Sequence, residues 1–179
     1  MSEMTDAIMD AAEKRIRQGG YSGFSFREIA ADVGVKSASV HYHFPTKEKL
    51  AAAVARRYTD RFIEAVDRRL ETGEGVVQAW RRVFHDAFTR DGQMCLCGAL
   101  GATSSDLSDE VRHEVKRFFR LGIDRLRKAG LGAAEAVQVL ATLEGAMLTA
   151  TVLEDPSLFD SGTASLAGAE IQSRIEADA

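Results

Sequence analysis

Between Thr46 and Leu70 the residues Leu50, Val54, Tyr58 and Phe62 recur at four-residue steps, the spacing that stacks side chains on one face of an α-helix. A helix of that length runs roughly 36 Å at about 1.5 Å per residue, long enough to join two domains. Apolar positions keep helical spacing through nearly all of the 179 residues, which contain only two prolines and few β-branched runs. An all-α fold follows.

Upstream, a helix is predicted over Asp6–Gln18, capped by Thr5, with Ile8, Ala11, Ala12 and Ile16 on one face and Gly19-Gly20 as its stop. Ser25-Phe26-Arg27-Glu28 fits a capping box that opens a second helix, with Ile29, Ala30 and Val33 inward. Gly34 supplies a turn. A third, short helix spans Ser37–His43, with Val40 and Phe44 as its buried pair, and the long fourth helix follows Pro45. After the Thr72-Gly73-Glu74-Gly75 loop, helices are predicted at Val76–Thr89, Met94–Thr103, Asp109–Ala129 and Ala133–Leu153. Pro156 interrupts, and a short terminal helix is expected after Ser165.

The composition, 45% hydrophobic and 28% charged, is that of a soluble globular chain. It holds no run of about 18 apolar residues that could cross a membrane, and no leader pattern opens it. Cys95 and Cys97 stand too close together to staple distant segments, which points to a reducing cytoplasm. The net charge of −4 argues against nucleic-acid binding, but it is unevenly spread. Residues 1–61 carry ten Lys/Arg against eight Asp/Glu, whereas residues 62–179 carry thirteen against nineteen. The acidity therefore belongs to the C-terminal part.

Short helix, glycine turn, short helix is the helix-turn-helix arrangement, whose second helix enters the DNA major groove. In Val33-Gly34-Val35-Lys36-Ser37-Ala38-Ser39-Val40-His41-Tyr42-His43-Phe44, the small residues let the helix start approach a duplex. Hydroxyls and N–H groups there suit phosphate oxygens. His41 and Tyr42 project rings toward bases or backbone, Arg27 opens the preceding helix and Lys47 the following one. A solvated polar helix face in a bundle that binds nothing fits the same pattern.

The run from Ala11-Ala12 through Gly20-Tyr21-Ser22-Gly23-Phe24-Ser25, Ile29-Ala30-Ala31-Asp32-Val33-Gly34-Val35, Ser39-Val40-His41-Tyr42-His43-Phe44 and Lys47-Glu48-Lys49-Leu50 resembles the DNA-binding domain of the TetR family of transcriptional regulators. That resemblance covers about residues 5–50. It implies a helix-turn-helix domain at 1–50 and an effector-binding and dimerisation domain at 51–179. It implies DNA contacts from Ser25, Arg27, Ser37, Ala38, Ser39, His41, Tyr42 and Lys47. His41 departs from the tyrosine or phenylalanine more usual at its position. A homodimer on a palindromic operator is also implied, with Asp109–Ala129 and Ala133–Leu153 as the dimer-forming helices. Gly145-Ala146 and Ala150 are small enough for close helix approach there, or for tight packing within one subunit.

In the C-terminal half, Trp80, Phe84 and Phe88 form a stripe at four-residue spacing that Met94, Cys95, Phe118, Phe119, Met147 and Thr151 can face. This is either plain core or the pocket of an unidentified small-molecule effector. His85, His113 and Glu144 can supply polar contacts. Cys95 and Cys97, two apart on a helix, point about 200° apart. They read as small buried hydrophobes or as a thiol sensor, which needs an exposed sulfur beside a cation. No zinc spacing or phosphate loop appears, so no metal, cofactor or catalytic residue is expected. The function expected is a ligand-responsive regulator, most often a repressor in this family, released from its operator by an effector that tilts the fourth helix. The alternatives are a cysteine-dependent enzyme, with Cys95 or Cys97 as nucleophile and His85 or His113 as base, and a helical adaptor without DNA binding.

Overall fold

The computed structural model describes residues 2–166. Every regular element among the described residues is helical: α1 (Glu3–Gly19), α2 (Phe26–Val33), α3 (Ser37–His43), α4 (Lys47–Glu71), α5 (Val76–Thr89), α6 (Leu96–Gly101), α7 (Asp109–Lys128) and α8 (Ala133–Val152). Single 3-10 turns lie at Tyr21–Gly23 and Ser104–Asp106, and residues 157–166 form a further helical segment. The fold is all-α, as the periodicity requires.

Several helix ends differ by a few residues from the sequence expectation, and the starts of α1 and α6 have a clear local reason. Ser2 rather than Thr5 caps α1, its hydroxyl accepting the Thr5 N–H at 3.3 Å, and Glu3 and Asp6 place negative charge in the first turn. α6 begins at Leu96 rather than Met94, because the Cys95 N–H donates to Met147 Sδ at 2.8 Å and lies outside the helix. A helical segment absent from the sequence expectation starts directly after Pro156, with Asp155 Oδ1 accepting the Ser157 N–H at 2.9 Å, and the terminal helix expected after Ser165 falls almost wholly outside the described residues. Whatever follows residue 166 falls outside the described residues.

The chain forms two compact units. The first comprises Met1–Asp60 with Leu96–Phe118, the second Arg61–Cys95 with the chain from Phe119 onward. In the first, Ile8, Ala12 and Ile16 of α1, Ile29 of α2, Val40 of α3, Leu50 and Val54 of α4 and Leu100 of α6 are all sealed from solvent. α1 packs on α2 and α6, and α2 on α3. Arg57, only 13% exposed, ties α4 to α1 through Asp10 at 2.6 Å, Glu13 at 3.4 Å and Asp6 at 3.7 Å. Arg56 donates to the buried Glu114 at 2.7 Å, and Arg117 pairs with Asp60, so the first part of α7 is bound to α4 in the same unit.

The second unit is built on α5, whose Trp80, Phe84 and Phe88 are buried. Phe62 sits 5.5 Å from the Trp80 ring and 5.0 Å from the Phe84 ring, and Phe88 stacks on Phe159 at 5.9 Å. Gly122 of α7 is where α5 and α8 come closest to that helix. A Cβ there would lie 2.9 Å from Leu140 Cδ1 and 3.0 Å from Trp80 Cη2. Leu140 can yield but the enclosed indole cannot, so Gly122→Ala is expected to lower stability by about 1–2 kcal/mol, the usual cost of overpacking. An unchanged midpoint in urea unfolding would show that the junction has slack.

Candidate nucleic-acid interface

α2 and α3 owe their geometry to three local signals. Ser25 Oγ accepts the Glu28 N–H at 3.3 Å and donates back to Glu28 Oε2 at 2.8 Å, which fixes where α2 begins. Gly34 ends it in the left-handed region, φ 77°, which glycine adopts without strain, and the next N–H, Val35, returns to Ala30 O at 2.9 Å. α3 then runs from Ser37, anchored by Val40, which is fully buried, and followed by the buried Phe44. Arg15 braces α2 from behind by a two-pronged bond to Asp32, 2.5 and 2.9 Å, and a third contact to Glu28 at 3.2 Å. The pair holds the Asp32 carboxyl below its ordinary range.

With one side of α3 buried, the other is left outward. Tyr42 is 85% exposed, and Ser25, Arg27, Ala38 and His41 are exposed beside it, with Ser37 and Ser39 half-buried. Arg27 makes no ion pair among the described residues. His41 is less free than its exposure suggests, because its ring meets Phe26 edge-on at 4.6 Å. His43 turns the other way: its Nδ1 lies 3.3 Å from Thr5 Oγ1, and its ring meets Tyr42 at 5.2 Å, steadying the tyrosine.

Lys47 has a more constrained place than its sequence position implied. It is half-buried, its ammonium 4.7 Å from the Tyr21 ring centre and 4.5 Å from that of Phe24, and burial lowers its pKa. Tyr21 in turn donates to Glu48 at 3.1 Å, and burial pushes its phenol up to about 12. Two aromatic faces thus aim this cation at the start of α4. Sequence reasoning passed over Lys36, which is exposed at the N-cap of α3. The available signal was a cation directly before a run of small residues at a helix start.

The remaining sequence-predicted site residues divide between the two units. Trp80, Phe84, Phe88, Cys95 and Met147 are buried in the second unit, with Met94, Phe119 and Thr151 half-buried in it. Phe118 belongs to the first unit, where it packs 6.1 Å from Tyr58. The two cysteines also separate. Cys97 lies 4.0 Å from Thr59 Oγ1, whereas the Cys95 thiol neighbours the carboxyl of Glu144, whose pKa burial raises and this thiol pulls down. Both sulfurs are fully buried and neither forms a disulfide. A sensing thiolate needs exposure and a cation, and a neighbouring carboxylate disfavours it. His85 sits between Asp86 at 3.6 Å and Asp160 at 3.7 Å, and His113 is exposed.

Comparison with known proteins agrees with this geometry. The sequence profile described as "Bacterial regulatory proteins, tetR family" matches residues 8–54. The HTH-type transcriptional repressor DhaR of a Mycobacterium species is 32% identical over 113 residues, which cover 61% of this chain and 56% of the relative. The alignment thus spans less than two thirds of that protein. A TetR transcriptional regulator from Legionella pneumophila has a similar structure, with a TM-score of 0.86 at 26% identity, covering 94% of this chain and 98% of the other. A TetR-family regulator from Agrobacterium tumefaciens gives 0.84 at 27% identity over 90% and 94%.

Proposed function

We propose that this chain, a TetR-family protein by its N-terminal domain and its fold, is a cytoplasmic transcriptional repressor that binds a palindromic operator as a homodimer and is released by a small molecule. The observation that carries the reading is the outer face of α3. An aromatic ring 85% exposed, opposite a valine at 0%, with an arginine alongside that has no ion pair among the described residues, is a surface that gains from a partner. The helix-turn-helix order of α2 and α3 supports the major groove as that partner. We read residues 1–50 as the DNA-binding domain and 51–179 as the effector and dimerisation domain. The contacts are assigned to Ser25, Arg27, Ser37, Ala38, Ser39, His41, Tyr42 and Lys47.

The homodimer rests on α8. Ala136, Val139, Leu140, Leu143, Ala146, Met147 and Ala150 are buried within the subunit, and a Cβ on Gly162 would lie 3.2 Å from Ala146 Cβ, so the small residues Ala146 and Ala150 serve packing inside one chain. The opposite face is apolar as well: Val137 and Leu148 are 51% exposed and Val152 69%, with Ala141 and Gly145 between them. A second copy covering the same stripe is the self-complementary arrangement of a twofold dimer. Dimerisation would present two copies of α3 about 34–36 Å apart, or a multiple of it, to one side of a duplex.

A small molecule releases DNA only by binding the released state more tightly than the bound one. α4, whose residues divide between the two units, is the natural carrier of that difference. The enzyme alternative has no supporting geometry, since the cysteines neighbour Thr59 and Glu144 and His85 neighbours aspartates. No helix among the described residues is long and apolar enough to cross a membrane.

The test is titration of the chain with duplex DNA from beside its own gene. Lys47→Ala should weaken binding to all sequences and lower the salt slope by about one. Tyr42→Ala should weaken all sequences about tenfold, and Arg27→Ala should change base preference. If all three variants bind as the parent does, the DNA face lies elsewhere.

A further inference from the structure

Among the described residues, the second unit contains a group that its fold leaves unexplained. Glu144 lies on α8 between Leu140 and Met147, a turn away on either side and both buried, so its side chain points inward. Both carboxyl oxygens are buried without a hydrogen bond of ordinary geometry. The donor that interacts with the carboxyl is the Cys95 thiol, a weak one. Buried carboxylates are normally paired with a cation or with several N–H groups, because an unpaired one costs several kcal/mol.

Several cations of this unit are paired with other carboxylates, and no ion pair to Glu144 is formed among the described residues. Arg69 holds Asp86 at 2.6 Å, Arg81 holds Asp160 at 2.7 Å, Arg82 holds Glu74 at 2.7 Å and Arg125 holds Asp67 at 2.8 Å. His85 is flanked by Asp86 and Asp160. The groups around α8 at this level are soft and apolar. Met147 Sδ accepts from Cys95 N, and Leu140 packs where Gly122 and Trp80 meet. A metal ion is a poor match, since no cluster of three or more His, Cys, Asp or Glu side chains exists among the described residues and hard divalent cations need several oxygen ligands. An organic cation suits the surroundings better. Its charge meets one carboxylate, and the Met147 thioether beside Cys95 can repack around its carbon surface.

We propose that Glu144 is the anchor of an effector site in the second unit that takes an organic ammonium carrying an apolar or aromatic body. The inference rests on reading residues 51–179 as the effector-binding part. Ionised Glu144, left alone, is destabilising. With the ammonium beside it, the charge is matched, and this difference lets such a ligand select one conformation over another.

The probes are benzyltrimethylammonium, benzyl alcohol and benzoate, matched in their aromatic ring and differing in charge. Each is titrated into the full chain by calorimetry and by the fluorescence of Trp80, the one tryptophan of the sequence. The cation should bind at least about tenfold more tightly than the alcohol or the anion. Glu144→Gln should abolish that preference while leaving alcohol affinity unchanged, which a merely misfolded variant would not do. Glu71→Gln, at an exposed carboxylate of the same unit, should keep the preference. Equal affinities, no binding of the cation, or a preference that survives Glu144→Gln would each overturn the proposal. The parent chain is titrated with operator DNA in parallel. DNA binding without cation preference removes the ammonium site and leaves the repressor reading standing, and cation preference without DNA binding does the reverse.

Discussion

Glu144→Gln should melt above the parent protein at about pH 8 and close to it at about pH 4. Burial pushes the Glu144 carboxyl up to about 7, against the downward pull of the Cys95 thiol, while in an unfolded chain it titrates near 4.3 or so. Below the unfolded value both states carry the proton and the group is neutral to stability. Between the two values the folded chain keeps a proton that the unfolded chain has released, so stability falls as pH rises. Above about 7 the whole penalty is present, about 3–4 kcal/mol at about 1.36 kcal/mol per unit. Gln carries no charge and escapes it, so the variant should gain roughly 7–15 °C at the alkaline end for a chain of this size. Melting curves across that range decide the matter. Equal melting temperatures at both ends would mean that the carboxyl is solvated or paired in the folded protein.

Leu148→Glu combined with Val152→Glu should separate the subunits and weaken operator binding by at least about a hundredfold. In the proposed dimer each carboxylate would lie in the middle of an apolar face, and twofold symmetry would repeat it on the partner. Burying an unpaired charge costs about 3–5 kcal/mol, so the variant prefers to leave that face in water. Both positions are at least half exposed in the single chain, 51% and 69%, so the fold itself should tolerate them. Light scattering should then report one chain per particle, and the affinity that remains should be that of a half-site. A dimer that persists with both carboxylates would move the interface off this face of α8.

The helices themselves were legible in the sequence because the chain is so regular. α3 and α5 match the expected bounds, and the end of α2 follows from Gly34, whose left-handed backbone few other residues would adopt. What the sequence did not carry was partnership over long distances. The Cys95 N–H turning to Met147 set the start of α6, and no local pattern encodes that bond. Gly20 lies beside Ala99, so that α6 packs on α1, which spacing along the chain cannot reveal. At the proposed DNA face, the exposure of Tyr42 followed from helical register, whereas the clamping of Lys47 between two rings depended on how Tyr21 and Phe24 fold back over α4. Glu144 was, with His85 and His113, only one of three polar candidates for a ligand contact in the sequence. Its burial without a strong partner is visible only once α8 is packed.

The most direct measurement is the stoichiometry and salt dependence of DNA binding. The full chain is titrated into a palindromic duplex from beside its own gene, the isolated half-site and a scrambled duplex, each at two salt concentrations. A repressor dimer should place two chains on the palindrome, prefer it to the scrambled duplex by at least about a thousandfold, and lose affinity steeply as salt rises. One chain per duplex with equal affinity for all three DNAs, or no binding at low salt, would contradict it.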